Sequence, residues 1–200
     1  MLVPSMNLEE IKKEIAKDFS VVFRKATYLE KELKHNLKHR HFEKEIRFHD
    51  YLSKYKNNWI IRVEEQKKGS MVTFITWYYN ETGLTAIIPV ENNDYLSFYT
   101  AGFFKSFNER MQLNLTLPND IIRAYADENL ITEDVKLGYC AKGIYKFYCH
   151  TPHGYVLGTC DEYQKFYKIY AFMTREMLKG RQGELEKVMN EEVEKYLERT

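Results

Sequence analysis

The sequence predicts an α+β fold built on antiparallel strand pairing. Three observations carry that expectation. An apolar stripe at steps of three and four opens the chain, two groups of β-branched and aromatic runs follow at hairpin spacing, and helical stretches separate those groups. The expected architecture is a long N-terminal helix or helix pair, an antiparallel sheet or sheets from two three-stranded hairpin groups with helices between them, and a C-terminal helix. In domain terms this gives a helical segment over residues 1–57 and an α+β domain over residues 58–200, sharing one continuous core.

The stripe runs Leu8, Ile11, Ile15, Phe19, Val22, Ala26, Leu29, Leu33 and Leu37, which is one face of a helix. Phe48, Leu52 and Tyr55 continue it, so residues 8–55 read as helical, with a break expected near Asp18–Ser20, where Ser20 would cap a second helix. The period then changes to two. "WIIRVEEQ", "MVTFITWYY" and "LTAIIPV" are separated by "KKGS" and "NETG", the pattern of a three-stranded meander. Pro89 belongs at a strand end or an edge, because it has no N–H to give a ladder.

"SFYTAGFFKSFNERMQL" reads as a helix with Phe103, Phe104, Phe107 and Met111 on one face. "TLPNDIIRAYADEN" reads as a second, started by Pro118. "GIYKFYCH", "YVLGTCDE" and "QKFYKIYAFM" fit three more strands, with Pro152 and Gly154 placed for a turn between the first two. From about Thr174 the chain reads as helical and acidic to its end.

The 200 residues carry 30 basic and 29 acidic side chains, so no overall field points to nucleic acid or to an anionic membrane. Tyr (16) and Phe (12) are abundant against 2 Trp, which suits half-exposed sheet faces and contact surfaces. The N-terminus lacks the apolar core of a signal peptide, and no stretch approaches the ~20 apolar residues of a spanning helix. Cys140, Cys149 and Cys160 make an odd set without a disulfide framework. These features together lead to the expectation of a cytoplasmic protein with reduced thiols and no membrane contact.

The stretch "KFYCHTPHGYVLGTC" holds ligand types that zinc accepts, in Cys149, His150, His153 and Cys160. Its spacing argues against a metal, since no Cys pair is closer than nine residues and neighbours on a strand point to opposite faces. Alternation instead places Tyr145, Phe147 and Cys149 on one face, with Cys149 and Cys160 as core neighbours across a hairpin and His153 in the turn. The other face then carries Lys146, Tyr148 and His150, joined from the next strand by Lys165, Tyr167 or Lys168. Such a face is able to hold a phosphate backbone and to supply acid/base groups.

A second histidine set, His35, His39, Phe42, Ile46 and His49, recurs on the far side of the first helix. His35 and His39 stand at i and i+4, the separation with which a helix chelates one metal, but no HExxH pattern or acidic third ligand accompanies them. No metal is therefore expected, with His35 and His39 the only weak candidates. Between Lys31 and Lys56 there are eight Lys/Arg against four Asp/Glu, the most basic part of the chain. No GxxxxGK[ST], GxGxxG, GxSxG or CxxC occurs, so no cofactor is expected.

"AGFFKSFNERMQL…LPNDIIRAYADEN" followed by "GYVLGTCDE…KIYAFMTREML" resembles a group of uncharacterised bacterial proteins of Bacteroides type. In that group a helix with an aromatic pair and an Arg-Tyr-x-Glu-Arg-like run precedes a strand with a Gly-containing turn and a terminal helix. Glu109 and Arg110 match the end of that run, while Ser106 and Gly102 stand where the group tends to have Arg and His. More remotely, a helix followed by an antiparallel sheet is similar to the RelE-like toxin ribonucleases. That resemblance implies RNA cleavage by basic, His and Tyr side chains without a metal, although this chain is longer and less basic than those toxins.

Two functional expectations follow. The first is a non-catalytic protein-interaction or accessory domain with a protein partner or self-association, for instance a homodimer through the long helix. The second is a metal-independent RelE-like ribonuclease or RNA-binding protein. It would use His150 and His153 as acid and base, Tyr148 and Tyr167 to position the substrate, and Arg110, Lys146 and Lys168 to hold phosphate. Its condition is that these side chains meet in one cleft.

Overall fold

The computed structural model describes residues 1–38, 44–66, 69–90, 95–129, 134–141 and 143–178, with residues 187 and 191. Its fold is α+β, and the chain forms two compact units, Met1–Glu81 and Thr82–Thr200. The boundary expected at residue 57 falls inside the first of them, between two strands.

The first unit holds α1 (Leu8–Lys38), β1 (Lys44–Leu52), β2 (Asn58–Gln66) and β3 (Gly69–Asn80), with β2 pairing antiparallel to both neighbours. Asn7 and Glu10 start the helix reciprocally. Glu10 N donates to Asn7 Oδ1 (3.0 Å) and Asn7 N donates to Glu10 Oε2 (2.8 Å), which satisfies two of the donors a helix start leaves over. The stripe is buried as its spacing requires: Ile11, Ile15, Val22, Ala26, Leu29 and Leu33 all lie in the core. Opposite it are Trp59, Ile61 and Val63 of β2 and Phe74 of β3, the last meeting Phe19 edge-on at 5.1 Å.

Two expectations for this segment are corrected. The helix ends by Lys38, and Lys44–Leu52 is a strand paired over its whole length with β2. Ile46, Phe48 and Leu52 suit an alternating strand and a helical stripe equally, so nine residues of sequence cannot separate the two periods. Nor does the helix break near Asp18. Its 31 residues are continuous, so Ser20 lies inside the helix and caps nothing, and Asp18 is a fully buried acceptor aimed at the sheet.

The second unit runs β4 (Gly83–Val90), β5 (Tyr95–Tyr99), α2 (Ala101–Arg110), α3 (Pro118–Glu128), β6 (Asp134–Ala141), β7 (Ile144–Thr151), β8 (Gly154–Asp161) and β9 (Phe166–Thr174), then one 3-10 turn at Arg175–Leu178. Its strand order is β4-β5-β9-β8-β7-β6, antiparallel except where β5 meets β9 in parallel. The hairpin groups are thus larger than expected. Tyr95–Tyr99 is a strand and not the start of the next helix, and Asp134–Ala141 adds an edge that the sequence reading left out. Pro89 sits one residue from the end of β4, as its missing N–H demands. The expected C-terminal helix lies mostly outside the described residues, of which Lys187 and Glu191 are helical.

Helices α2 and α3 cover one face of this sheet. Thr100 caps α2, its hydroxyl accepting from Phe103 N at 3.3 Å, and Pro118 opens α3. Phe103, Phe107 and Tyr125 then close on Tyr99 and Phe172, with ring centroids between 4.9 Å (Phe103–Tyr125) and 6.5 Å (Phe103–Phe172). Truncating such a buried ring to Ala costs about 3–5 kcal/mol, so this cluster is the main support of the unit.

Strand β5 pairs with only the first part of β9, and α2 takes over where it stops. Thr100 N donates to Ile169 O (3.0 Å), Ser106 Oγ accepts from Phe172 N (3.0 Å), and Arg110 Nη1 donates to Phe172 O. Backbone groups that a missing strand would orphan are met first by the backbone N–H of Thr100 and then by the side chains of Ser106 and Arg110.

Candidate functional site

The hairpin β7–β8 fixes which side chains share a face. Thr151 pairs with Gly154, which leaves Pro152 and His153 as a two-residue turn and sets His150 opposite Tyr155, Tyr148 opposite Leu157 and Lys146 opposite Thr159. Residues directly opposite in an antiparallel pair point to the same side. Across the next ladder Thr159 pairs with Lys168, so Lys146, Thr159 and Lys168 form one row over three strands. In that ladder the register shifts between Gly158↔Ile169 and Leu157↔Ala171, a bulge at Tyr170. The Tyr170 hydroxyl lies 3.1 Å from Thr159 Oγ1, which places it beside the row, with Lys168 Nζ 5.4 Å from its ring centre.

The resulting surface faces away from α2 and α3. Tyr148, Leu157, Thr159 and Tyr170 are buried, Lys146, Tyr155 and Lys168 are half-buried, and His150 is exposed. The His150 ring packs against Tyr155 (centroids 5.0 Å) and Tyr148 (5.4 Å). Chemically this is an aromatic cluster with a titratable imidazole at its rim and two ammonium groups further along.

Of the seven residues expected to form a ribonuclease site, four share this surface: Lys146, Tyr148, His150 and Lys168. Tyr167 does not. It pairs with Cys160 on the opposite, helix-covered face, where its ring meets Phe147 at 5.4 Å and Tyr95 at 5.5 Å. Arg110 is also on that side, bound to the Phe172 carbonyl. His153 sits in the β7–β8 turn against the Glu128 carboxylate at the end of α3. The seven are therefore divided among a sheet face, its reverse and a turn.

The cysteines follow the bland reading in part. Cys149 and Cys160 are both free, buried and on the helix-covered face, but they are not neighbours. Cys149 pairs with Val156 and Cys160 with Tyr145, and the Phe147–Gly158 row lies between them. Near Cys149, Tyr125 and Tyr99 bring their hydroxyls within 3.4 Å of each other, and burial pushes both phenols above their ordinary range. Burial of all three groups makes this core and not a reactive centre.

In the first unit His35 is exposed on α1, while His39 lies outside the described residues. His49 and Ile46 sit on strand β1, so they do not continue a helical histidine stripe. Among the described residues no group of three or more His, Cys, Asp or Glu side chains is placed to hold a metal. A cavity of about 110 Å³ lies between α1 and strands β1 and β2, floored by Leu29, Leu33, Ile61 and Val63 beside Arg47 and His49. No helix among the described residues is long and apolar enough to cross a membrane.

Tyr155, Thr159 and Tyr170 were not anticipated as parts of the surface. A signal for the first was present: a two-residue turn at Pro152–His153 makes His150 and Tyr155 partners by counting alone. In comparisons with known proteins, no family model, no curated protein and no solved structure matches the chain.

Proposed function

We propose that the protein is a cytoplasmic, non-catalytic protein-interaction or accessory module, and that the β7–β9 surface is its contact site. The observation that carries this reading is the rim of that surface: His150 packed against Tyr155 with the rings tilted, and Lys146 and Lys168 in the adjoining row. Aromatic side chains with polar tips give contact area at low entropy cost, and flanking cations orient an approaching partner. The dispersal of Tyr167, Arg110 and His153 away from this face supports binding over cleavage. Free, buried thiols at Cys149 and Cys160 fit a reducing compartment. A photo-crosslinking residue at position 155, compared with one at exposed Tyr163, tests it. A discrete protein adduct in cells at 155 alone, lost on His150→Glu, is expected; no adduct at 155 overturns the reading.

A second reading, RNA binding of the RelE-like type, draws on Lys146, His150 and Lys168 sharing one face. End-labelled RNA incubated at low salt with and without EDTA separates the two. Intact, unshifted RNA is expected from the first reading. EDTA-resistant cleavage lost on His150→Ala puts the second in front.

A further inference from the structure

Strand β6 of the second unit and strand β1 of the first are each an edge among the described residues, and they are built differently. Strand β6 is irregular along its ladder with β7, which shifts register twice, at Lys136/Gly138 and at Tyr139/Ala141. Bulges of that kind blunt an edge against further pairing. Strand β1 has no such device. It is nine residues long, contains no proline, and pairs with β2 in an unbroken register from Lys44↔Gln66 to Leu52↔Asn58. No strand among the described residues pairs with its other side.

Charge is the remaining way to protect an edge, and uniform lysines repel a copy of themselves. The charges of β1, "KEIRFHDYL", are mixed in sign. Antiparallel pairing of two copies requires a twofold axis normal to the sheet, which keeps every side chain opposite one on its own face. Only registers whose partner numbers sum to an even value are then allowed. Centred on Phe48, the strand sets Ile46 against Asp50 and Lys44 against Leu52, with no opposite-charge pair. Centred on Ile46, it pairs only residues 44–48 and leaves Tyr51 and Leu52 among the four residues without a described partner, and its one opposite-charge pair, Glu45 with Arg47, is already made within each chain. Centred on Arg47, it sets Lys44 against Asp50, Glu45 against His49 and Ile46 against Phe48, each twice by symmetry. Arg47 then meets its own copy on the axis. Each Arg47 is already engaged by Glu45 of its own chain (Nε 2.7 Å, Nη2 2.6 Å), which offsets that like-charge contact.

We infer that β1 is a self-association edge, pairing antiparallel with β1 of a second copy in the register centred on Arg47. The inference goes beyond the contact site proposed on β7–β9 and shares no residue with it. Backbone pairing supplies the attraction, and the side chains select one register.

Sedimentation of the full chain over a concentration series, combined with single-cysteine crosslinking, tests it. Wild type should pass from the chain mass to twice that mass as concentration rises. Residues opposite in an antiparallel pair have Cα atoms within disulfide reach, so Arg47→Cys should oxidise to a covalent dimer. Ile46→Cys and Phe48→Cys alone should not, since neither meets itself. Asp50→Lys, which faces Lys44 of the second copy, should lose the dimer while keeping the wild-type circular dichroism. A monomer at every concentration, or equal crosslinking at 46, 47 and 48, overturns the inference.

Discussion

The carboxylate of Asp18, a third of the way along α1, accepts the indole N–H of Trp59 on β2 at 3.0 Å, and the same Oδ2 accepts the Asn57 amide at 2.7 Å. All three residues are buried. A charged acceptor with two buried donors fixes where the helix crosses the sheet, because a shift of one residue along the helix would leave all of them unsatisfied. Asp18→Ala should therefore destabilise the protein by about 3 kcal/mol in urea unfolding, roughly the cost of two orphaned donors. Trp59→Phe should cost less, about 1–2 kcal/mol, and the double variant should be less harmful than the sum.

Glu14, one turn earlier on the same face, makes stability depend on acid. Its carboxylate is bonded first by Lys17 (2.8 Å) and also by the Met1 amino group, and these hold its pKa down from 4.5 to about 2. A depressed carboxyl pKa means that the unfolded chain takes up the proton first as pH falls. The contribution is complete above pH 4.5 and is lost progressively towards pH 2. Thermal melts across that window should show a falling midpoint in wild type, and Glu14→Gln should flatten the slope. An unchanged slope in the variant would place the acid sensitivity elsewhere.

Ser106 and Arg110 complete β9, so their loss should act on stability and not on ligand binding. Ser106→Ala leaves the buried Phe172 N–H without its acceptor, a cost of about 1–3 kcal/mol. Arg110→Ala removes the donor to the Phe172 carbonyl and should lower the unfolding midpoint. Neither should alter adduct formation at position 155. If Arg110→Ala abolished RNA association in a protein of unchanged stability, Arg110 would be a phosphate ligand after all.

Gly158 is required by space. A Cβ there would lie 2.4 Å from the Lys168 carbonyl oxygen and 2.9 Å from Cε1 of Phe147, which fills the row between the two buried cysteines. The backbone contact cannot relax without shifting the ladder beside the bulge. Gly158→Ala should cost about 3 kcal/mol by overpacking, and Phe147→Leu added to it should recover only part. Chemical denaturation of the three variants measures this.

Much of this molecule is legible in its residues, and the failures have a common cause. The α1 stripe and the Tyr145–Phe147–Cys149 alternation repeat for long enough to declare their period, and both are found as expected. Strand β1 was missed because Ile46, Phe48 and Leu52 satisfy two periods at once. A break near Asp18–Ser20 was expected because the run is long and Ser20 is a residue type that caps helices, and nothing nearby in sequence announces that Asp18 is held by Trp59. Tyr167 and Lys168 were left as alternatives because the register of the β8–β9 turn, Asp161 opposite Phe166, decides which of them shares a face with Lys146, and composition does not show it. Arg110 was read as a phosphate ligand because sequence shows a guanidinium but not the unpaired carbonyl that employs it. Local periodicity was readable; partners supplied from a distance were not.

The parallel seam between β5 and β9 also sets an order of events. Leu96 must find Phe166, 70 positions further along the chain, whereas every other ladder of that sheet joins strands adjacent in sequence. Closing so long a loop is slow relative to forming hairpins. During synthesis the β4–β5 hairpin and the aromatic face of α2 emerge well before the strand that completes them. The second unit therefore matures late and all at once, and a chain halted before Phe166 would present an open sheet edge beside Phe103 and Phe107, the state in which this protein is most exposed to aggregation.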